Sequence, residues 1–172
     1  MDLVVLYDRA LPYVYGYLLS RCGAVALAED LTADTMLAAV DAARGEDRPA
    51  LSVPWLVGVA RHKLVDHWRR QAREERGLRA VAGPETTGAG DAAASGSGDD
   101  WDVRLDALRA RHTLQTLSPL HRAVLTLRYL DDLAVPDVAE LVDRSVHATE
   151  GLLVRARAAF RRSYGEREET DA

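Results

Sequence analysis

Two segments of the chain combine residue types that can bind nucleic acid. The first runs from Trp55 to Arg70 and mixes tryptophan with arginine, lysine and histidine. Aromatic rings stack on unpaired bases and cations neutralise phosphates, although Trp55 and Trp68 could equally be core residues and the arginines a solvated face. The second runs from Val135 to Arg157 and has the pattern of a helix-turn-helix, whose second helix enters the DNA major groove. Both segments favour DNA binding over catalysis.

Charge is segregated along the chain. The 172 residues carry a net charge of −5, yet Arg61–Arg79 holds seven basic residues against three acidic ones, and Arg144–Arg162 holds five against one. The overall acidity argues against a protein that coats nucleic acid indiscriminately. Local basic faces on an acidic chain suit a protein that meets DNA together with a partner.

The sequence contains no evident catalytic or metal-binding constellation. Cys22 is the only cysteine, which excludes an intrachain disulfide and a cysteine-based metal site. His62 and His67 lie five residues apart and do not share a helix face, and there is no phosphate-binding glycine loop or nucleophile motif. We therefore expect no enzyme, no catalytic residue, no metal and no cofactor. Bound zinc in the purified protein would revive the enzyme hypothesis.

The N-terminal residues also lack the features of a targeting segment. They have neither the basic region nor the small-residue cleavage site of a signal peptide, and no window approaches the length of a membrane span. A soluble, cytoplasmic protein without membrane insertion is expected.

The elements that must position the two segments are predicted to be helices throughout, in an all-α fold. From Ala82 to Asp100 the sequence contains no large apolar residue. This stretch can therefore bury too little apolar surface to offset the entropy lost on ordering it. The prediction is therefore two small helical domains, 1–78 and 103–165, joined by a flexible linker, 79–102, with the helix-turn-helix in the second. Helices are expected at Leu3–Arg21, Ala28–Ala43, from Trp55, at Val103–Thr116, from Pro119, after Asp132 and from Val146.

Local signals refine this prediction. Pro12 should kink or divide the first helix, Ser118 should cap a helix that begins with Pro119, and Ser145 can cap the last helix. Spacings of three and four also predict the buried positions. In the first domain these are Leu56, Ala60, Leu64 and Trp68, and in the second Leu120, Ala123, Val124, Leu127, Leu130, Val138, Ala139, Leu141, Val142, Val146, Thr149, Leu153, Ala156 and Phe160.

Several motifs resemble those of bacterial sigma factors of the extracytoplasmic-function (ECF) type, which hold only the region 2 and region 4 domains. They are Ala28–Leu37, Trp55–Arg70, Leu117–Leu130, Val138–Val142 and Arg155-Ala-Arg157. The chain departs from the family pattern at Ala33-Asp34, Met36 and His62. It departs most in the recognition helix, where Ala148–Leu152 reads Ala-Thr-Glu-Gly-Leu in place of the usual Thr-Val-Lys-Ser-Arg.

The resemblance implies recruitment of core RNA polymerase, through its clamp and flap, to promoter DNA, with an anti-sigma factor as a common family partner. The implied clamp-docking residues are Glu29, Asp30, Leu31, Asp34, Met36 and Leu37. The implied contacts to the −10 element are Arg61, His62, Lys63, Asp66, Arg69 and Arg70, preceded by a loop, Arg44–Val53, that resembles the one capturing a flipped base. The implied contacts to the −35 element are Arg144, Ser145, His147, Glu150, Gly151, Val154, Arg155 and Arg157.

Two alternatives stay open at this point. The second half could be a plain helical packing unit with a solvated charged face. It could also serve a stand-alone helix-turn-helix regulator, although the first half would then lack a purpose. Within the exposed set, Glu150 could accept a hydrogen bond from a cytosine amino group but would repel phosphate.

Overall fold

A computed structural model describes residues 3–45, 49–82 and 100–168. Every regular element in these ranges is helical: α1 (Leu3–Cys22), α2 (Val25–Arg44), α3 (Val53–Ala82), α4 (Asp100–Thr116), α5 (Pro119–Leu125), which continues into a π-helical turn (Thr126–Leu130), α6 (Val135–Leu141) and α7 (Val146–Glu168). The predicted all-α class is confirmed. The chain packs as two compact units, Met1–His67 and Trp68–Ala172. Among the described residues, no helix is long and apolar enough to cross a membrane.

Helix α1 forms one side of the first unit's core. Its buried stripe repeats every four residues, because that spacing keeps side chains on one helix face; it comprises Leu6, Ala10, Val14, Leu18 and Cys22. The prediction that Pro12 divides this helix was wrong, since α1 runs through it without a break. Pro12 is exposed, so water can satisfy the carbonyl that loses its amide partner.

Helix α2 packs against α1 and starts at Val25 rather than at the predicted Ala28. Two of its buried residues are threonines whose hydroxyls donate within the helix, Thr32 to the carbonyl of Ala28 at 2.6 Å and Thr35 to that of Leu31 at 2.7 Å. These bonds satisfy the hydroxyls without an outside partner. The threonines can therefore lie in an otherwise apolar interface.

Helix α3 is longer than its sequence pattern predicts. The expected buried residues Leu56, Ala60, Leu64 and Trp68 are all buried, but the helix continues to Ala82, and α4 already begins at Asp100. Both helices therefore reach into the predicted linker 79–102. Residues 83–99 lie outside the described ranges.

In the second unit, the junction between α4 and α5 is held by one arginine. Ser118 and Pro119 occupy the predicted cap and first-turn positions, although the Ser118 side chain makes no capping hydrogen bond. Arg122 instead reaches back to the end of α4. Its guanidinium donates to the carbonyls of Leu114 at 3.2 Å, Leu117 at 3.2 Å and Gln115. The positive charge of Arg122 also interacts favourably with the negative C-terminal end of the α4 dipole.

The core of the second unit lies among α5, α6 and α7, where most of the predicted stripe is buried. Ala123, Val124, Leu127, Val138, Ala139, Val142, Thr149, Leu153 and Ala156 are all buried, while Leu120, Leu141 and Phe160 are half-buried. Two predictions were wrong: Leu130 is 45% and Val146 44% exposed. Leu130 ends the π-helical turn, whose i→i+5 hydrogen bonds take more residues per turn and so shift the α-helical register. Val146 is the first residue of α7.

The turn of the helix-turn-helix closes with a Schellman motif. The amide of Arg144 donates to the carbonyl of Ala139 at 3.0 Å, and the amide of Asp143 donates to that of Glu140 at 3.1 Å. Asp143 has a φ of 56°, in the left-handed region where glycine is usual. This motif ends α6 and turns the chain into α7.

Candidate nucleic-acid and polymerase interfaces

Helix α7 presents the predicted −35 contacts on its outer face. Its opposite face is fixed in the core by Thr149, Leu152, Leu153 and Ala156, so Glu150, Val154 and Arg155 point outward. The exposed members of the predicted set are Arg144, Ser145, His147, Glu150, Val154, Arg155 and Arg157, and Gly151 is half-buried. The arrangement matches a recognition helix held by the helix before it.

Ser145 has a structural role at the start of this helix. Its Oγ accepts from the amide of Ala148 at 3.2 Å, and its carbonyl accepts from the hydroxyl of Thr149 at 3.0 Å. The cap predicted at Ser145 is confirmed. The side chain satisfies one of the free amides of the first turn, which fixes the position at which α7 begins.

The outer face of α7 is mainly basic but includes one carboxylate. Arg144, Arg155 and Arg157 are exposed, and so is Arg161, which the sequence analysis did not include. Arg161 lies four residues after Arg157, a spacing that places both on one side of the helix. The carboxylate is that of Glu150, whose Oε2 lies 4.0 Å from Nδ1 of His147.

One titratable side chain lies beneath the recognition helix. His121 on α5 is half-buried. Burial lowers the pKa of its imidazole below the usual 6.5, and the nearby positive charges of Arg155 and Arg162 on α7 lower it further. These surroundings therefore favour the neutral form of His121 at the interface between α5 and α7.

The predicted −10 contacts are distributed around helix α3. His62, Asp66 and Arg70 are exposed, while Arg61, Lys63 and Arg69 are half-buried. Trp55 is half-buried, but Trp68 is fully buried. Trp68 therefore cannot stack on a base in this structure, and its place is in the core. The loop before α3 is described only at Gly45 and at 49–52.

The predicted docking residues on α2 separate into two groups. Glu29, Asp30, Asp34 and Leu37 are exposed, whereas Leu31 and Met36 are only 4% and 8% exposed. The last two therefore support the surface from beneath. The sequence analysis missed the apolar grooves beside this surface, of about 520 and 370 Å³, which share Tyr7, Ala33 and Met36 in their walls. The repeated tyrosines of α1 were the available signal.

Other chemistry finds no support in the described ranges. They contain no group of three or more histidine, cysteine, aspartate or glutamate side chains that could hold a metal ion. Cys22, the single cysteine, is buried. The first unit presents an acidic surface beside apolar grooves, and the second unit presents a helix-turn-helix with a basic face.

Comparison with known proteins identifies both units. The sequence model for Sigma-70 region 2 matches residues 6–74, and that for Sigma-70, region 4 matches residues 107–160. The chain belongs to the sigma-70 family. Its pairing of these two regions is that of the ECF group, as the resemblance of the motifs implied.

A curated relative supports the same group. The chain is 30% identical over 156 residues to the ECF RNA polymerase sigma factor BldN of Streptomyces coelicolor. The aligned region covers 88% of this chain and 56% of BldN. The chain thus spans little more than half the length of that relative.

A solved structure supports the fold. The sigma factor RpoE of Bartonella quintana, in complex with the anti-sigma factor NepR, superposes with a TM-score of 0.51 at 18% identity, over 91% of this chain and 92% of that one.

Proposed function

We propose that this chain directs core RNA polymerase to specific promoters and so initiates transcription, without itself catalysing a reaction. The observation that carries the proposal is that residues matching sigma regions 2 and 4 form two helical units, and that the second ends in a helix-turn-helix with an exposed basic face. We assign the functional domains to 1–78 and 103–165, with 79–102 between them. The work is expected to take place in the cytoplasm.

The first role is docking on the polymerase clamp. Glu29, Asp30 and Asp34 provide an exposed negative surface on α2, and Leu37, 61% exposed, adds an apolar contact beside the grooves. Apolar contact supplies affinity while charge selects the partner and its orientation. A complementary surface on the polymerase would be basic around an apolar centre.

Docking is tested by co-elution with core polymerase. Reversing two charges in the variant Asp30→Lys/Asp34→Lys should abolish co-elution at moderate salt. The control Asp8→Lys changes an exposed carboxylate on α1 that does not line either groove and should co-elute like the wild type. Equal behaviour of the two variants would remove α2 from the docking surface.

The second role is opening the −10 element by α3. His62 and Arg70 are exposed and can meet the backbone of separated strands. Replacing both by alanine should reduce transcription from duplex promoters, and a template with a mismatched, already open −10 region should restore it. Arg76→Ala, further along the same helix, serves as the control. A defect that persists on the open template would contradict a melting role.

The third role is binding of the −35 duplex by α7. Its exposed arginines can neutralise phosphates, while the first exposed turns face the bases. Arg157→Ala should weaken binding of every −35 sequence to a similar degree and should reduce its dependence on salt. A change in sequence preference without a change in salt dependence would assign Arg157 to base contact instead.

The proposed function as a whole is tested by in vitro transcription. Core polymerase and fragmented genomic DNA of the source organism should give discrete new transcripts only when the protein is added. A stand-alone regulator would instead shift duplex DNA without polymerase and give no such transcripts. Addition of a candidate anti-sigma factor, a further proposed partner, should suppress the transcripts.

A further inference from the structure

Two side chains on the outer face of α7 differ from the arginines around them. Glu150 is 60% and Val154 57% exposed, and they lie four residues apart, on the same helix face. Gly151 lies beside them, and a Cβ added there would contact only the guanidinium of Arg155, at 3.5 Å. The Arg155 guanidinium therefore lies over Gly151, and the side chains of Glu150 and Val154 remain largely exposed beside it.

A carboxylate on a DNA-facing helix needs a specific partner. Phosphates repel it, so Glu150 is favourable only where it meets a hydrogen-bond donor on a base edge. In the major groove the donors are the amino groups of cytosine and adenine. The adenine amino group lies beside the N7 acceptor, which would repel a second carboxylate oxygen, whereas the cytosine edge has no such acceptor. Cytosine is the better match.

Val154 selects by contact instead of by hydrogen bonding. An exposed valine offers only methyl groups, and the one apolar group on the major-groove edge is the C5-methyl of thymine. Four residues of α-helix rise about 6 Å, or roughly two base-pair steps of 3.4 Å. Where the helix axis follows the groove, the two contacts can therefore fall about two base pairs apart.

We propose that α7 selects its −35 element by a cytosine that donates to Glu150 and a nearby thymine whose methyl group contacts Val154. The inference rests on the proposed binding of the −35 duplex by α7. In this proposal α7 reads the bases through a carboxylate and a methyl surface and not through basic side chains. Its arginines bind phosphates.

The first test is in vitro transcription from promoters with a randomised −35 element, using core polymerase and the full chain. The wild type should select cytosine at one position. Glu150→Gln should shift that preference toward adenine by about tenfold, because glutamine can pair with both N6 and N7 of adenine. The control Glu140→Gln removes an exposed carboxylate on α6 and should keep the preference for cytosine.

The second test replaces thymine by deoxyuridine in the selected −35 element, which removes only the methyl group. Wild-type binding should weaken by about fourfold at the contacted position, the equivalent of one buried methyl group. Val154→Ala should lose this sensitivity, while the control Leu108→Ala, an exposed apolar residue on α4, should retain it.

The outcomes separate the two proposals. If Glu150→Gln keeps the wild-type −35 preference, or if Val154→Ala keeps the sensitivity to deoxyuridine, the proposed readout is wrong. The sigma-factor function is then left intact, because transcripts are still made. A wild-type protein that initiates nowhere overturns the proposed function, and this inference falls with it.

Discussion

Replacing Arg122 by methionine should destabilise the second unit by about 2 kcal/mol. Arg122 joins α5 to the end of α4 through the carbonyls of Leu114, Gln115 and Leu117. The bond to Gln115 is exposed, so water replaces the guanidinium there at little cost. The other two carbonyls are partly buried, and losing a charged donor costs about 1 kcal/mol at each. Methionine retains most of the apolar stem, which limits the loss from packing.

Urea denaturation followed by circular dichroism measures this change, and hydrogen exchange of the amides in α4 and α5 assigns it to the second unit. The matched control is Arg111→Met, which removes an exposed arginine from α4 itself and should change the free energy of unfolding by less than about 0.5 kcal/mol. In a unit of this size, 2 kcal/mol corresponds to a fall in Tm of about 10 °C. Equal losses in the two variants, or no loss in Arg122→Met, would refute the role of Arg122.

Three further changes should alter the stability of the second unit. Thr113→Val should stabilise it by about 1 kcal/mol in urea denaturation, because the buried Thr113 hydroxyl has no hydrogen-bond partner among the described residues; a loss of stability would reveal a partner. Asp132→Gly should stabilise it by a similar amount, about 1 kcal/mol, because Asp132 has a left-handed φ of 52°, which glycine adopts without strain. The exposed ion pair of Asp132 with Arg128, at 3.6 Å, contributes little, so its loss should cost little. Asp132→Ala, which keeps the strain, should not stabilise the unit. The lowered pKa of His121 means that the unfolded chain binds a proton more readily, so stability should be greatest above pH 6.5 and should fall as the pH drops below it toward the native pKa; His121→Gln should remove this part of the pH dependence, and an unchanged pH profile would contradict it.

Helical periodicity predicted the core best where helices are regular. The stripe Leu56, Ala60, Leu64 and Trp68 is buried throughout because uninterrupted α-helix preserves the spacing of four residues. The prediction that Leu130 is buried was wrong because the five residues Thr126–Leu130 adopt π-helical geometry, which no spacing rule anticipates. Pro12 does not divide α1, because the packing of the α1 stripe against the core outweighs the loss of one helical hydrogen bond.

The candidate sites were predictable by residue type but only partly by exposure. The resemblance of motifs placed the proposed docking residues on α2. It could not separate the buried Leu31 and Met36 from the exposed Leu37, because burial depends on how α1 packs against α2. Arg122 was missed for a similar reason. Its bonds reach back to α4, seven and eight residues away, and require the chain to fold back at Ser118.

On the proposed function, the small number of exposed arginines in the helix-turn-helix gives a reason for combining two units. In the turn before α7 and in α7 itself, the exposed arginines among the described side chains are Arg144, Arg155, Arg157 and Arg161. Non-specific affinity for DNA grows with the number of phosphates neutralised. Four such contacts, opposed by Glu150 and by a net chain charge of −5, give weak binding to DNA at physiological salt. If residues 1–78 are held on polymerase, as proposed, their covalent connection to residues 103–165 raises the effective concentration of α7 at the promoter. On the proposed function, weak and sequence-selective binding by α7 would then suffice at the correct site, and we expect the free protein to bind other DNA only transiently.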